Sequence, residues 1–168
     1  MKRSYRAGDK IVHPVYGAGV ITGITQKSIA GDLRRYYVID PMTHDMQIMV
    51  PVDRVKDLGL RNVLKRSGIA KVLRVLRSPP DEMTGDHKER QELATEQLQS
   101  ANPIEIAKVM RNLSWYQKQK GHLGAKDTRL LERARDLLVG ELAVAEGLGI
   151  EGALARIETA LGLDEGEA

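Results

Sequence analysis

The stretch IMVPVDRVKDLGLRNVLKRSGIAKVLRVLRSPP, residues 48–80, contains the change of pattern that decides the fold. Up to about residue 60 the chain consists of short runs rich in β-branched residues and tyrosine, which favour strands. After that point apolar residues recur with the period of an α-helix, beginning with Ile69, Val72, Leu73 and Leu76. The pattern predicts an α+β chain with two domains, a β module at residues 1–60 and an all-α module at residues 61–168.

Four short runs in the N-terminal part are predicted to be strands separated by turn residues. The runs are Lys10–His13, Gly19–Ile29, Arg35–Asp40 and Met46–Val50. Pro51 closes the last run, because proline cannot donate to a strand ladder. Four or five short strands in about sixty residues predict a small, highly curved barrel or half-barrel.

The C-terminal part is predicted to form five helices. The first ends before Ser78, and the third starts at Pro103 with Asn102 as its N-cap and stops near Gly121. The fourth is predicted to run from a cap at Asp127 to residue 146, and the second is predicted to bury Leu93. The second and the last are predicted at residues 87–98 and 150–161.

The composition excludes several classes of protein. The chain has 168 residues and no cysteine, which excludes a disulfide framework, a thiolate zinc site and a cysteine nucleophile. The charged start, MKRSYRAGDK, is not followed by an apolar run, so it is not a secretory signal. No stretch approaches the roughly 18 apolar residues of a membrane helix. We therefore expect a protein of the reducing cytoplasm with no membrane partner.

Charge is distributed unevenly along the chain, although 26 basic and 23 acidic residues nearly balance. Residues 106–126 contain five basic residues and no acidic one. Residues 140–168 contain seven acidic residues and one basic residue, and we interpret this end as a solubilising tail. A cationic region attracts polyanions even when the whole protein is nearly neutral, although a solvated helix face explains the same pattern.

The sequence carries no catalytic or metal-binding motif. The four histidines are scattered and lack the spacing of metal ligands. A phosphate-binding GxxxxGK[ST] loop and a GxSxG nucleophile motif are both missing. Solvation explains the paired carboxylates Asp81-Glu82 and Asp164-Glu165 better than acid–base chemistry does. We expect no enzymatic activity, no catalytic residue, no metal and no cofactor.

Trp115, the one tryptophan, has an unusual place in the third predicted helix. It lies two residues past Leu113, hence about 200° around the wheel from the apolar residues of the buried face. Those residues are Ile106, Val109, Met110, Leu113 and Tyr116. The stripe that contains Trp115 also contains Lys108, Arg111 and Lys118. Two interpretations remain open: Trp115 covers another helix between snorkelling cations, or it is an exposed probe that stacks on or wedges between bases.

The last predicted strand offers a second surface. If Met46, Ile48 and Val50 point inward, Gln47 and Met49 point outward, because side chains alternate along a strand. An outward methionine near a sheet edge suits a protein-binding surface. An isolated surface methionine fits the same pattern.

The order of motifs resembles that of the CarD/CdnL family of bacterial transcription regulators. AGDKIVHPVYGAGVITGI at 7–24 is similar to the opening of the family, and IMVPVDRVKDLGLRNVL at 48–64 follows it. IAKVLRVLRSPP at 69–80 and RLLERARDLLVGELAVAEG at 129–147 resemble its helical part. The resemblance covers about residues 3–162. At His87, members of the family often carry tryptophan, so this chain differs from them there.

The resemblance implies a non-enzymatic regulator with a Tudor-like, SH3-like barrel that binds the β subunit of RNA polymerase. It implies that the helical domain touches promoter DNA in the minor groove, at the upstream edge of the melted −10 region, and stabilises the open complex. The implied polymerase contacts are Lys27, Arg34, Gln47 and Met49. The implied DNA contacts are Trp115, as a wedge, and Lys108, Arg111, Lys118, Lys120 and Lys126.

We also expect a cytoplasmic monomer that associates with the nucleoid through RNA polymerase. A function of a different class also remains open. The protein would then be a protein–protein adaptor whose helical domain does not contact DNA. Trp115 and its basic stripe are the feature that discriminates between the two functions.

Overall fold

The computed structural model describes residues 4–82 and 85–163, in which an antiparallel sheet precedes a group of helices. The strands are β1 Lys10–His13, β2 Gly17–Ile29, β3 Asp32–Pro41, β4 Ile48–Pro51 and β5 Arg61–Asn62. The helices are α1 Arg66–Arg77, α2 His87–Gln99, α3 Pro103–Lys120, α4 Ala125–Glu146 and α5 Ile150–Leu161. The predicted α+β class is therefore confirmed, whereas the pair Asp164-Glu165 lies outside the described residues.

The strands form one curved sheet in the order β4-β3-β2-β1-β5, and every neighbouring pair is antiparallel. Its buried side chains include Ile11, Ile21, Tyr37, Ile39 and Val50. The pairing of β2 with β3 shifts between Ile21 and Gly23, and a bulge of this kind increases the local twist. Gly19 leaves no room for a side chain, because a Cβ there would lie 2.6 Å from the carbonyl oxygen of Asp40. The close approach of β2 to the end of β3 thus requires glycine.

Three features of the sheet differ from the prediction. Met46 does not point inward: it precedes β4 and its side chain is 53 % exposed. β3 begins at Asp32 rather than at residue 35, because its first residues pair with the end of β2. β5 has only two residues, Arg61 and Asn62, which is too short for a sequence pattern to reveal.

The helix boundaries follow from local capping, and most lie where the sequence predicts them. Asn102 caps α3 by accepting the backbone N–H of Ile104 at 2.9 Å. α3 ends at Gly121, whose φ of 83° is the left-handed conformation that glycine adopts without strain. α1 buries the predicted face, and its last residue is the one before Ser78.

Two predictions about the helices are wrong. The N-cap of α4 is Gly124, and Asp127 lies inside the first turn with its side chain buried. Leu93 is 56 % exposed, whereas Arg90 on the same helix is buried. The burial of Arg90 and of Asp127 has one cause, because the two side chains form an ion pair that joins α2 to α4.

The helices share one apolar core, which includes residues of all five. Ile69 and Leu73 of α1, Met110 of α3, Leu138 of α4 and Ile157 of α5 are all buried in it. α4 also packs against the sheet, where Val144 joins a small cluster with Val12 and Ala18 of the first two strands. α4 therefore belongs to the helical core and also to the small cluster that it shares with the sheet.

Glu141 of α4 makes a polar contact between the modules. Its side chain is 6 % exposed, and its two oxygens accept hydrogen bonds of 2.7 and 2.8 Å from the guanidinium of Arg61 in β5. It also accepts the backbone N–H of Leu64 at 2.8 Å, just before α1. A buried carboxylate is tolerable here because each oxygen has a donor. One side chain thus joins the last strand, the following connection and α4.

The turn between β1 and β2 is a second contact with α4. Nδ1 of His13 accepts the backbone N–H groups of Val15 and Tyr16 at 3.0 and 3.3 Å. Arg133 of α4 donates to the carbonyl oxygen of Val15. Burial lowers the pKa of His13, and the ring accepts both hydrogen bonds only while Nδ1 carries no proton.

We predict that Glu141→Ala lowers the free energy of unfolding by about 3 kcal/mol, because it leaves Arg61 without its partner and the amide of Leu64 without an acceptor. Urea unfolding followed by circular dichroism measures the change. Glu132→Ala is the control, since Glu132 is an exposed residue of the same helix, and its effect should stay within about 0.5 kcal/mol. Equal effects of the two substitutions would contradict the assignment of Glu141 to the module contact.

We also predict that His13 makes stability depend on pH. Its pKa in the native state is lowered, so below the ordinary value of about 6.5 the unfolded chain binds a proton that the native state does not. The free energy of unfolding should therefore fall as pH drops below about 6.5, and this loss should be smaller in His13→Asn. The Asn side chain can accept the same two N–H groups in an Asx turn and does not titrate.

Urea unfolding at pH 7.5 and pH 5.5, for the original protein and the variant, measures this difference. The other titrating groups are common to both proteins and cancel. An identical pH dependence in the two would show that His13 does not contribute.

Candidate functional site

Three helix ends meet at one end of the helical module. The guanidinium of Arg90, near the start of α2, lies 2.7 Å from the carboxylate of Asp127 in the first turn of α4. The same guanidinium lies 4.7 Å from the ring centroid of Tyr116 near the end of α3, a cation–π contact. Both charged side chains are 6 % exposed, so the ion pair is shielded from solvent. The contact fixes the last turns of α3 against the starts of α2 and α4.

Trp115 lies beside this junction with its side chain partly in solvent. It is 44 % exposed, whereas Leu113 and Met110 on the same helix are 2 % and 1 % exposed. Tyr116, the next residue, is half-buried under Arg90. The prediction that Trp115 points away from the buried face of α3 is confirmed.

Arg111 does not lie on an exposed stripe with Trp115, so that part of the prediction is wrong. It is 7 % exposed, and its guanidinium donates to the Ser78 hydroxyl at 2.7 Å and lies 2.9 Å from the Asp81 carboxylate. It also reaches the carbonyl oxygen of Val75 at 3.4 Å. The end of α1 crosses α3 at this position and supplies acceptors that bury the cation. Arg111 therefore fastens the end of α1 and the following segment to α3.

Lys108 is further from Trp115 and is paired. Its ammonium lies 3.1 Å from a carboxylate oxygen of Glu105, and both side chains are about one third exposed. The hydrogen bonds from Lys108 and Gln97 lower the pKa of Glu105. Seven residues of helix separate Lys108 from Trp115, or about 10 Å. Its charge is thus partly neutralised and distant from the aromatic ring.

Lys118, Lys120 and Lys126 are exposed and lie on both sides of the short connection at 121–124. None of them has an ion-pair partner among residues 4–82 and 85–163. Lys118 and Lys120 complement the dipole at the end of α3, but Lys126 gains nothing from the positive end of α4. These three lysines follow Trp115 within eleven positions of the sequence, and we call the four residues the Trp115 surface.

A second surface lies on the outer face of the sheet. In the register of the strands Lys27 is opposite Arg34, and Val38 is opposite Met49. Paired residues and residues two apart share a face, so Lys27, Arg34 and Met49 lie on the face away from the buried Tyr37. Met49 is 41 % exposed and belongs to β4, an edge strand of the sheet. The predicted outward direction of Met49 is confirmed, and exposed Gln47 lies just before β4.

The sequence interpretation missed two exposed aliphatic residues at the tip of the β2–β3 ribbon. Ile29 is 56 % exposed and Leu33 is 68 % exposed. They flank Ala30, whose φ of 53° is left-handed, and Gly31 in the turn. A β-branched residue next to a turn fits a strand equally well whether it is buried or exposed, so no sequence signal distinguishes them.

No helix in the described part of the chain is long and apolar enough to span a bilayer. Among the same residues, no group of three or more histidine, aspartate or glutamate side chains is arranged to bind a metal ion.

Family models match each module of this chain. The model described as CarD-like/TRCF RID domain, a Tudor-like fold, matches residues 5–64. The model described as CarD, C-terminal domain matches residues 71–158. A Tudor-like module followed by a helical domain of this kind defines a transcription regulator. The chain belongs to the CarD family.

A relative that is named as a transcription factor agrees with this assignment. YdeB of Bacillus subtilis (strain 168), named as a candidate transcription factor, is 27 % identical over 144 residues, which cover 86 % of this chain and 94 % of that protein. A solved structure of CdnLNt from Myxococcus xanthus is 35 % identical and covers 39 % of this chain and 93 % of its own, with a TM-score of 0.33. The match to YdeB spans both modules.

Proposed function

We propose that this regulator binds the β subunit of RNA polymerase through its sheet and contacts promoter DNA at the upstream edge of the −10 bubble through its helical domain. The observation that carries the proposal is the Trp115 surface, an indole 44 % exposed and followed by three exposed lysines that have no ion-pair partner in the part of the chain that the structure describes. A family of transcription factors supplies the context in which such a surface meets DNA.

The chemistry of the Trp115 surface suits a partly opened duplex. An exposed aromatic ring can enter between base steps where stacking is already weak, while cations beside it contact phosphates. Lys118, Lys120 and Lys126 are exposed and able to act in this way, and Arg111 acts indirectly by fixing the segment beside Trp115. Such a wedge binds the melted state better than the closed state. Differential binding of this kind stabilises the open complex.

The outer face of the sheet suits a tether to polymerase. The edge strand β4 presents an unpaired backbone edge and carries Met49, and Lys27 and Arg34 lie further along the same face of the sheet, on β2 and β3. An incoming strand can add to such an edge, with the cations setting orientation and charge complementarity. The tether raises the effective concentration of the Trp115 surface at the promoter, so weak affinity for free DNA is sufficient.

We predict that Trp115→Ala shortens the lifetime of the open complex formed with this protein by at least about fivefold, the effect of losing about 1 kcal/mol of stacking. The lifetime is measured on polymerase holoenzyme and promoter DNA after addition of a competitor. Binding to the β subunit should stay unchanged.

Leu93→Ala is the matched control, because Leu93 is also a large exposed side chain of the helical module. It should not change the lifetime. An unchanged lifetime in Trp115→Ala, with the protein still bound to polymerase, would favour an adaptor whose helical domain does not contact DNA.

We predict that Lys27→Glu weakens binding to the β subunit by about tenfold, because it places a carboxylate opposite Arg34 and cancels the positive charge that the two side chains give to the outer face. A pull-down or titration with the isolated β subunit at several salt concentrations measures the change. Lys56→Glu is the control, since Lys56 is exposed on the same module but lies outside the strands. If both variants bind equally well, the outer face of the sheet is not the tether.

A further inference from the structure

The exposed side of α1 is cationic along its whole length. The helix contains Arg66, Lys71, Arg74 and Arg77 and no acidic residue, and Lys65 is its N-cap. All five side chains are exposed. Within residues 4–82 and 85–163 none of the five has a side-chain hydrogen bond or an ion pair. We call these five residues the α1 cationic face.

Three other cations at the surface of this chain have acidic neighbours. Arg54 lies 3.6 Å from Asp57, Lys108 lies 3.1 Å from Glu105, and Arg156 pairs with Glu146. Exposure to solvent therefore does not by itself explain why the cations of the α1 cationic face have no carboxylates beside them. The α1 cationic face keeps its full positive charge, and close like charges destabilise a helix.

Neither the helix dipole nor capping explains why these cations are present on α1. Lys65 and Arg66 lie at the N-terminal end, where the helix dipole disfavours positive charge. At the other end, the carbonyl oxygens of Arg74 and Val75 already accept the backbone N–H of Ser78, and Arg111 reaches Val75 as well. No side chain from the α1 cationic face is needed to cap that end. The charges thus point to a partner outside the chain.

The position of α1 connects this face to the Trp115 surface. Arg111, one helical turn before Trp115 on α3, contacts Ser78 and Val75 at the end of α1. The last turn of α1, with Arg74 and Arg77, therefore adjoins the part of α3 from which Trp115 projects. A duplex in contact with Trp115 can extend past the end of α1.

We propose that the α1 cationic face binds the phosphate backbone of double-stranded DNA next to the step contacted by Trp115. This inference rests on the proposed DNA contact of the helical domain. Lys71, Arg74 and Arg77 follow one another three residues apart and form a row about 9 Å long. Each strand of duplex DNA carries one negative charge per about 3.4 Å of helix axis, so the row passes about three phosphates of one strand.

A DNA backbone fits this face better than an acidic protein does. The exposed residues between the cations are Ser67 and Ala70, which are small. Protein interfaces generally depend on aromatic or other large anchors, and this side of α1 has none among its described residues. Uniform charge without an anchor is typical of contacts that position a protein on DNA without reading its sequence.

The test compares the triple variant Lys71→Gln, Arg74→Gln, Arg77→Gln with the original protein. Fluorescence anisotropy of a labelled DNA duplex, titrated with full-length protein at several salt concentrations, gives the slope of log K against log salt. Loss of three phosphate contacts should reduce the magnitude of that slope by about 2 to 3 and weaken binding at low salt. Trp115→Ala should weaken binding with little change of slope.

The control triple, Arg6→Gln, Lys10→Gln, Lys56→Gln, removes the same charge from exposed positions of the β module and should leave the slope within about one unit of the original. Equal slopes in the α1 variant and the original protein would overturn the inference alone. If the original protein does not bind the duplex even at low salt, the proposed DNA contact fails too. If the α1 variant loses binding to the β subunit and keeps its slope on DNA, the face binds an acidic protein and the inference is wrong.

Discussion

The orientation of the two modules depends on the buried carboxylate of Glu141. It lies on α4, and it binds both the guanidinium of Arg61 and the backbone N–H of Leu64. An unpaired charge at that depth would be expensive, so the carboxylate favours the one arrangement in which all its donors are present. The apolar contact of Val144 with Val12 and Ala18 adds area to the same junction. A surface on the sheet and a surface on the helices can therefore act at a fixed separation.

A second buried ion pair fixes how the helices pack inside the helical module. Arg90 and Asp127 bring the start of α2 to the start of α4, and the ring of Tyr116 lies under the guanidinium. The Nε atom of Arg90 is buried and has no hydrogen-bond partner among the residues that the structure describes, and an unpaired buried donor carries a cost in stability. What the ion pair provides is a defined direction for the end of α3. Trp115 projects from that end, and its position is set by residues that do not share its surface.

The sequence reveals the pattern of elements well because it depends on local chemistry. The cap at Asn102, the stop at Gly121 and the apolar face of α1 are all properties of consecutive residues. The helical wheel also predicts correctly that Trp115 points away from the buried face of α3, because the direction of a side chain on a helix follows from its position in the sequence. These features can be predicted without knowing which residues from elsewhere in the module pack against them.

The wrong predictions concern side chains whose burial depends on residues far away in the sequence. Arg111 looks like a surface cation until the end of α1 covers it, and Asp127 looks like a cap until Arg90 reaches it. Leu93 belongs to the predicted apolar face of α2 with Ala94 and Leu98, but it is exposed, whereas Arg90 is buried. For Arg111 and Asp127 the partner is at least thirty positions away along the chain, so no local pattern contains it. Burial of a charge is a tertiary property.

The half-exposed state of Trp115 has a practical consequence. The chain contains a single tryptophan, so its indole emission arises from one place on the molecule. An indole that is 44 % exposed responds to a change of solvent on one side while its other side stays packed. Its fluorescence is therefore a built-in optical reporter of that end of the helical module, usable without labels or added residues.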